Sequence, residues 1–412
     1  MVPGAAIGVL RGGVTTTACC GVADVSSGEQ VTAETRFSVG SLTKSMVATV
    51  IAWLANAGRL SLDDPVAAHV PELHAAQWAA RATVRDLLAN RSGLPLREAL
   101  EFDFASAGPE DDDVLSRFAA RIAEAEPTTA VWSYTNAGWC VLGRVVETVT
   151  GLTWEEAMRA HLLAPLAMEQ TTFATQPVAG PRAAGHRVTS DGPVPVPPLE
   201  SRRLGPAGTT MISTVSDMMR FASIHLEDSS LALLRESSTD IRIDPWFDAW
   251  CQGLARFDWN GGPVWGWDGL ISGERGFLRL LPRQRGAIVL FTNGSTGRAM
   301  YRSLFRDFLE RAFGVRMPPL HLEASVRAAG DLARFAGVYA WPDRRAEVKA
   351  TDSGLVIDAD GVSMEASPID DRTFLVDAGD PDNPTVTFGA FDERGRPQAL
   401  YLMLWALPLV ER

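Results

Sequence analysis

Lysine is almost missing from this sequence. Its 412 residues include 38 lysines and arginines, but only Lys44 and Lys349 are lysines, and the net charge is −12. There is no basic run and no glycine-rich loop of the kind that cradles phosphates. Nucleic acids and anionic membrane surfaces both require a basic partner surface. The acidic balance therefore argues against both as partners.

Long apolar runs are missing as well. No stretch approaches the roughly 20 apolar residues that a membrane-spanning helix needs. The start of the chain, MVPGAAIGVLRGG, lacks the basic end and the unbroken apolar stretch of a secretory signal, because Pro3 and Gly4 interrupt it. The chain as written is therefore expected to be cytoplasmic, with no membrane partner.

Metal-binding patterns are also absent from the sequence. The four cysteines, Cys19, Cys20, Cys140 and Cys251, do not have zinc-ligand spacing, and the six histidines are scattered. A chain of this length can build its core without disulfides. We expect buried, reduced thiols, no metal and no cofactor.

Strands are predicted near both ends of the first part of the chain, with helices between them. The predicted strands are 3–10, 14–24, 276–281 and 286–292. The predicted helices are 41–57, 137–150, 214–226 and 298–313. This order favours an α+β domain over residues 1–318, whose sheet is closed by the two ends of the domain.

Short strands separated by turns follow this domain. Met317-Pro318-Pro319 marks a boundary, and residues 328–412 are predicted to form a small all-β barrel or sandwich. Its strands are expected at 335–340, 346–350, 353–358, 373–377, 384–390 and 399–405.

A serine and one of the two lysines open the first predicted helix, in Ser41-Leu42-Thr43-Lys44. A spacing of three places both side chains on one face, about a turn apart. Ser41 then lies at the positive end of the helix, where its own N–H can bind a developing oxyanion. Lysine can be neutralised inside a protein, whereas arginine stays charged. The pattern predicts Ser41 as a nucleophile and Lys44 as its base.

A rare tyrosine lies in the second segment, Tyr134-Thr135-Asn136, before the predicted helix 137–150. The sequence has only four tyrosines, and a phenol can relay a proton from the serine to a leaving group. Asn136 can point the same way and hold both the lysine and an acyl amide oxygen. The alternative is structural, with Tyr134 in the core and Asn136 as the helix cap. The scarcity of tyrosine favours the catalytic interpretation.

The third segment is Trp267-Asp268-Gly269, just before the strand pair at 276–292. A glycine at position 269 would let the backbone of a sheet edge approach a substrate closely. The N–H of Leu270 would then be the second oxyanion donor, opposite that of Ser41. Trp267 and Gly269 are predicted to lie at the substrate.

The three segments, in this order, resemble the serine β-lactamase and penicillin-binding protein superfamily, and more closely its class C, esterase and D-aminopeptidase-like branch. The shared pattern is Ser-x-x-Lys, then Tyr-x-Asn or Ser-x-Asn, then Lys-Thr-Gly or His-x-Gly on a strand. The resemblance covers most of residues 2–315 and includes Gly205-Pro206-Ala207-Gly208. It implies an antiparallel sheet flanked by helices, with a helical subdomain. Residues 335–405 look like the lipocalin-like barrel of many bacterial members.

One departure from the family pattern bears on the substrate. Trp267 stands where the branch has His or Lys, a residue that normally helps to bind a carboxylate or to stabilise the tetrahedral intermediate. Asn90-Arg91 stands where relatives usually have His-Thr. The change at Trp267 argues against β-lactamase and D-Ala-D-Ala peptidase activity, and it suggests a more apolar pocket or a nucleophile that arrives along a different path. The structural alternative is a packed tryptophan in an inactive site. It leaves the serine, lysine and tyrosine unchanged.

The resemblance implies acyl-enzyme catalysis on a small ester, amide or peptide-like substrate. The acyl group on Ser41 would pass to water, as in an esterase or amidase, or to an amine, as in superfamily members that act in bacterial antibiotic pathways. Two alternatives stay open: a β-lactamase or D-amino-acid peptidase, and a non-catalytic binding or sensor protein. The pocket wall is expected from loops 95–130 and 180–205. A further hypothesis is that the C-terminal domain only mediates oligomerisation or covers the mouth of the active site.

Overall fold

The protein has a mixed helix and sheet domain followed by a closed barrel. The computed structural model describes residues 2–94, 110–125, 131–236, 239, 241–243, 246–318, 331–341, 344–376 and 384–411. The predicted α+β class and the C-terminal all-β unit are confirmed. The predicted boundary between the units stays a prediction, because residues 319–330 lie outside the described chain.

The strands of the first domain lie mainly near its two ends. They are β1 Gly4–Arg11, β2 Val14–Gly21, β3 Phe37–Ser38, β4 Thr172–Phe173, β5 His186–Thr189, β6 Gly192–Pro195, β7 Met211–Ser213, β8 Ala249–Trp250, β9 Ala255–Trp259, β10 Gly262–Ile271, β11 Glu274–Leu281 and β12 Gly286–Thr292.

The helices of this domain lie mostly between those strands. They are α1 Leu42–Asn56, α2 Val66–His69, α3 Gln77–Arg81, α4 Val84–Leu88, α5 Val114–Ile122, α6 Asn136–Thr150, α7 Trp154–Met158, α8 Val215–Glu227 and α9 Gly297–Phe313. A π-helical turn spans Arg159–Leu163, and 3₁₀ turns span Pro71–Leu73, Arg202–Ala207, Ser229–Arg235 and Pro282–Gln284. One more 3₁₀ turn, Leu332–Phe335, directly precedes the barrel.

Seven antiparallel strands form the main sheet, in the order β2-β1-β12-β11-β10-β9-β8. β1 pairs directly with β12, with Ala5 opposite Thr292. The strands from the two ends of the domain therefore lie side by side, as predicted. Helix α8 packs on this sheet where the chain has a glycine. A Cβ on Gly8 would lie only 2.5 Å from the Met219 side chain.

The long helices begin and end close to their predicted bounds, because local signals set them. Thr135 and Thr214 cap α6 and α8, since each accepts a hydrogen bond from a first-turn N–H. Gly151, with φ of 75°, ends α6 in the left-handed conformation that glycine tolerates best. Most of α1 is buried, including Lys44. The predicted catalytic helix is therefore a core helix.

The C-terminal unit is a closed barrel of eight strands in sequential order. Its strands are β13 Gly337–Trp341, β14 Arg344–Ala350, β15 Leu355–Ala359, β16 Val362–Pro368, β17 Thr373–Val376, β18 Thr385–Gly389, β19 Ala399–Leu402 and β20 Trp405–Glu411. The prediction of six strands was wrong, because β16 and β20 were missed. Proline weakens a strand prediction, and both contain one, Pro368 and Pro408.

The prediction of buried cysteines holds for Cys140 and Cys251 but is wrong for the other two. Cys20 is exposed and Cys19 is half-buried. Both lie on β2, the outer strand of the sheet, most of whose side chains face solvent. None of these four cysteines, all of which lie in the described part of the chain, forms a disulfide.

Candidate active site

Lys44 lies directly behind Ser41 at the start of α1. Ser41 is the residue that precedes the helix, and Lys44 is fully buried. The Lys44 Nζ lies 3.0 Å from the Ser41 Oγ. This contact works in both directions, because an ammonium donates to the hydroxyl and a neutral amine accepts the hydroxyl proton. The predicted pair therefore has the geometry of a nucleophile and its base.

Two further acceptors complete the surroundings of Lys44. Its Nζ donates to the Asn136 Oδ1 at 2.8 Å and to the Ala207 carbonyl oxygen at 2.6 Å. All three protons of the ammonium are thus matched by neutral acceptors. Among the described residues, no carboxylate forms an ion pair with Lys44.

The segment before α6 brings Tyr134 and Asn136 to the lysine. Thr135 caps the helix, because its Oγ1 accepts from the Gly138 N–H at 3.4 Å. Asn136 is the first helical residue, so its side chain is available to Lys44 rather than used for capping. The Tyr134 ring centroid lies 5.0 Å from the Lys44 Nζ. The structural alternative for Asn136, that it caps the helix, is therefore wrong.

Trp267 also contacts Tyr134. Its Nε1 donates to the Tyr134 hydroxyl oxygen at 3.1 Å, and the two ring centroids are 5.4 Å apart. Trp267 is only 2% exposed and packs edge-on against Trp250 at 4.8 Å. The indole N–H is a neutral donor that cannot accept a proton. Trp267 thus meets the phenol rather than an open surface.

Gly269 and Leu270 lie on the edge of β10, beyond its pairing with β9, which ends at Gly266. A two-residue turn at Ser272 and Gly273 joins β10 to β11, with Ile271 opposite Glu274. Hydrogen-bonded and non-hydrogen-bonded pairs alternate along such a hairpin, starting from a bonded pair at the turn. The N–H of Leu270 therefore points away from β11.

Three glycines allow the backbones around Ser41 to approach one another. A Cβ on Gly40 would lie 2.8 Å from the Leu270 nitrogen, and one on Gly269 would lie 2.2 Å from the Val39 oxygen. A Cβ on Gly208 would lie 2.2 Å from the Gly40 oxygen. The N–H groups of Ser41 and Leu270 thus border one narrow space, which suits an oxyanion. Gly40 and Gly208 were missed as site residues, although the Gly-Pro-Ala-Gly segment was a signal for the second.

A buried carboxyl group joins the two halves of this space. Glu274 opens β11, and its Oε1 accepts from the Ser38 N–H at 3.0 Å. The Ser38 hydroxyl donates to its other oxygen. Ser38 lies three residues before Ser41, so Glu274 ties the strand of the nucleophile to the hairpin that carries Leu270. Burial raises the pKa of Glu274 to about 7. No sequence signal pointed to this residue.

The wild type should lose stability as rising pH ionises Glu274, and Glu274→Gln should not show this loss. The folded protein holds this proton to about pH 7, whereas the unfolded chain releases it near pH 4.5. The stability from the raised pKa is therefore complete below about pH 4.5 and is lost as pH rises through about 7, a change of about 3 kcal/mol. Chemical denaturation of Glu274→Gln at about pH 5 and about pH 8 measures the difference from wild type.

The matched control for this prediction is Glu393→Gln, at an exposed carboxyl group of the barrel. It should follow the pH dependence of the wild type. If Glu274→Gln loses as much free energy of unfolding as the wild type between these pH values, Glu274 does not titrate as described.

The predicted pocket wall can be compared with the structure only in part. The expected wall segment 95–130 falls largely outside the described residues, which omit 95–109 and 126–130.

Across the described ranges, no helix is both long and apolar enough to cross a bilayer. Within the same part of the chain, no group of three His, Cys, Asp or Glu side chains could hold a metal ion.

Comparison with a family model and with known proteins finds similarity to the same group of proteins. The family model described as Beta-lactamase matches residues 1–309. Penicillin-binding protein 4 of Amycolatopsis lactamdurans is 33% identical over 362 residues, which cover 82% of this chain and 93% of the relative. The resemblance seen in the three sequence segments is thereby confirmed.

Solved structures show the same similarity in three dimensions. SurE superposes with a TM-score of 0.81 at 27% identity, over 99% of this chain and 95% of SurE. Its structure with D-Leu gives 0.78 at the same identity and coverage. A class C beta-lactamase from Rhodobacter sphaeroides gives 0.59 at 21% identity, over 73% of this chain and 93% of that enzyme. The last likeness supports the fold alone.

Proposed function

This chain belongs to the beta-lactamase family, and from that premise we propose that it forms an acyl-enzyme on Ser41. The observation that carries the proposal is the fully buried Lys44 with its Nζ 3.0 Å from the Ser41 Oγ. Family relatives are serine hydrolases, and this contact is what a serine needs to become a nucleophile. The roles assigned to the individual residues are proposals.

In the acylation step, the neutral amine of Lys44 takes the proton of the Ser41 hydroxyl as Oγ attacks an ester or amide carbonyl. The N–H groups of Ser41 and Leu270 bind the resulting oxyanion. Tyr134 passes a proton to the leaving group, while the Trp267 N–H holds the phenol oxygen. Collapse of the intermediate breaks the bond to the leaving group and leaves an acyl-Ser41 ester.

Water or an amine then completes the reaction. Attack on the acyl-Ser41 ester by water yields an acid, and attack by an amine yields an amide, with the same side chains returning the proton to the Ser41 Oγ. The aromatic surroundings of Tyr134 support the amine, because an apolar site disfavours water. We therefore favour an amide-forming transacylase over a hydrolase. A place in bacterial antibiotic metabolism, a cytoplasmic location and oligomerisation through the barrel stay predictions.

The acyl donor we propose ends in a D-configured residue and carries no free carboxylate beside the reacting carbonyl. The first part rests on the similarity to SurE, whose structure was solved with D-Leu. The second rests on Trp267, a neutral side chain where the family pattern has His or Lys. A penicillin carries such a carboxylate and should react poorly, whereas an uncharged ester should react well.

Intact-protein mass spectrometry tests the proposal. Wild type and Ser41→Ala would be incubated with a fluorophosphonate probe, a penicillin, and matched D- and L-aminoacyl esters, with and without small amines. We expect a mass gain with the probe and the D-esters on wild type only, and decay of the D-acyl adduct to an amide when an amine is present. Retention of the adduct on Ser41→Ala would exclude Ser41 as the nucleophile.

Other outcomes would point to the alternatives. Decay to free acid alone would indicate a hydrolase, and rapid turnover of the penicillin would indicate a β-lactamase. One stoichiometric adduct that is never released would indicate a sensor. No adduct with the probe would show that Ser41 is not activated and would leave a binding protein as the better description.

A further inference from the structure

The backbone that carries Tyr134 is held between the two parts of the protein. On the side of the first domain, the Ser133 N–H donates to the Asn90 carbonyl oxygen at 2.9 Å. On the side of the barrel, the Tyr134 N–H donates to the Leu404 carbonyl oxygen at 3.0 Å. The Ala406 N–H donates to the Ser133 Oγ at 2.9 Å, in a buried contact. The barrel therefore contacts the residue beside the predicted proton relay and that residue's own backbone.

The barrel offers these groups because its last strand extends past its neighbour. β13 pairs with β20 at Leu409 and Glu411, and this pairing does not reach Ala406. A two-residue turn joins β19 to β20, with Leu402 opposite Trp405. The next pair along, at Ala406, is non-hydrogen-bonded, so the Ala406 N–H points away from β19. It faces the segment that carries Tyr134.

Proline in β20 fits the same geometry. Pro408 lies opposite Ala399, which is another non-hydrogen-bonded position of the pair. Proline has no N–H and is tolerated at such positions. Along this edge, Ala406 therefore supplies a donor that Pro408 cannot supply. A buried donor without a partner is unfavourable, so the hydrogen bond to Ser133 stabilises the position of Ala406.

Side chains extend the contact from the barrel to the phenol. The Tyr401 ring lies 6.1 Å from Trp132, and Trp132 lies 5.9 Å from Trp250. Trp250 in turn packs edge-on against Tyr134 at 5.9 Å. Each of these four rings is at most 9% exposed. A closely packed aromatic interior transmits displacement rather than absorbing it.

We infer that the β19–β20 hairpin of the barrel positions Tyr134 for proton transfer, with Ser133, Leu404 and Ala406 as positioning residues. The inference rests on the proposed function, in which the Tyr134 phenol moves a proton. The barrel is then a working part of the active site and not an appended module. A displacement of about 1 Å at a catalytic group is enough to reduce a rate by about 100-fold.

The test removes the hydrogen bond between the Ala406 N–H and the Ser133 Oγ, first by changing its acceptor and then by changing its donor. Ser133→Ala deletes the acceptor, Ala406→Pro deletes the donor, and Ser133→Thr keeps a hydroxyl. Rapid-quench mass spectrometry would measure two quantities for each variant. They are the maximal rate constant for acylation of Ser41 by an ester and the ester concentration that gives half of that rate. We expect a loss of about 10- to 100-fold in the maximal rate for the first two variants, little change in the half-saturating concentration, and recovery in Ser133→Thr.

A second background shows whether the effect passes through the phenol. Combined with Tyr134→Phe, Ser133→Ala should cause no further loss, because the group it positions is gone. Thr351→Ala, which removes a turn hydrogen bond elsewhere in the barrel, should react like the wild type. Thermal unfolding of every variant identifies any that fail to fold. If one member of the Ser133 and Ala406 pair unfolds, the other carries the test.

The outcomes separate this inference from the proposed function. If the wild type forms an adduct and folded Ser133→Ala forms it at the same rate, the positioning role is overturned while the acyl-enzyme stands. An equal loss in the wild-type and Tyr134→Phe backgrounds would also overturn it, since the hairpin would then act on the whole fold. If the wild type forms no adduct, the proposed function is wrong and this role is wrong with it.

Discussion

Replacing Lys44 with arginine should reduce the acylation of Ser41 by about 1,000-fold, whereas the same exchange at Lys349 should have no effect. Arginine keeps the positive charge but cannot become neutral, so it cannot take the serine proton. Lys349 is the only other lysine of the sequence. It lies on the barrel surface and pairs with Glu347 at 3.1 Å and Asp358 at 3.7 Å. The two variants therefore test identical chemistry in a buried and an exposed setting.

The measurement is the single-turnover rate of adduct formation with an activated ester, with thermal unfolding as the check on folding. Arginine is larger than the buried lysine it replaces, so Lys44→Met serves as a neutral variant of similar length. Both Lys44 variants should fold, and both should acylate about 1,000-fold more slowly than the wild type. An acylation rate within a few-fold of wild type in either one would mean that another group activates Ser41.

Replacing Leu270 with proline should slow acylation by about 100- to 1,000-fold while leaving the fold intact. Proline deletes the one N–H that we assign to the oxyanion on β10. That N–H points away from β11, so no bond of the sheet is lost with it, and proline is tolerated on such an edge. The Leu270 side chain is 56% exposed, so its removal costs little packing.

Leu270→Ala is the matched control, because it removes the same side chain and keeps the N–H. It should acylate at close to the wild-type rate. Equal rates for Leu270→Pro and Leu270→Ala, in proteins with the same unfolding temperature, would show that this N–H does not stabilise the transition state. The comparison isolates one hydrogen atom of the backbone.

Much of the site could be predicted because its chemistry lies in short segments. The helix period fixes the spacing of Ser41 and Lys44. Scarcity was a second guide, since the sequence has only two lysines and four tyrosines. The sequence identified Asn136 as a candidate site residue but could not decide whether it contacts Lys44 or caps the helix. Thr135 is an equally good cap, and only the fold distinguishes the two.

The remainder of the site depends on contacts between distant parts of the chain. Ser38 and Glu274 are 236 positions apart, and Ser133 and Ala406 are 273 apart. Neither pair follows from composition or periodicity, because those report on neighbouring residues. The predicted number of barrel strands was wrong for a related reason. Pro408 argues against a strand locally, yet the register of β20 gives it a position where no N–H is needed.

The pairing of β1 with β12 also governs the order in which the protein can fold during synthesis. β1 ends at Arg11 and its partner begins at Gly286. At the usual rates of translation, the first hairpin waits on the order of tens of seconds for that partner. The sheet is assembled as β1-β12-β11-β10. Leu270 therefore reaches its place beside Ser41 only after the longest loop closure of the domain, and a nascent chain carries Ser41 long before the Leu270 N–H can lie next to it.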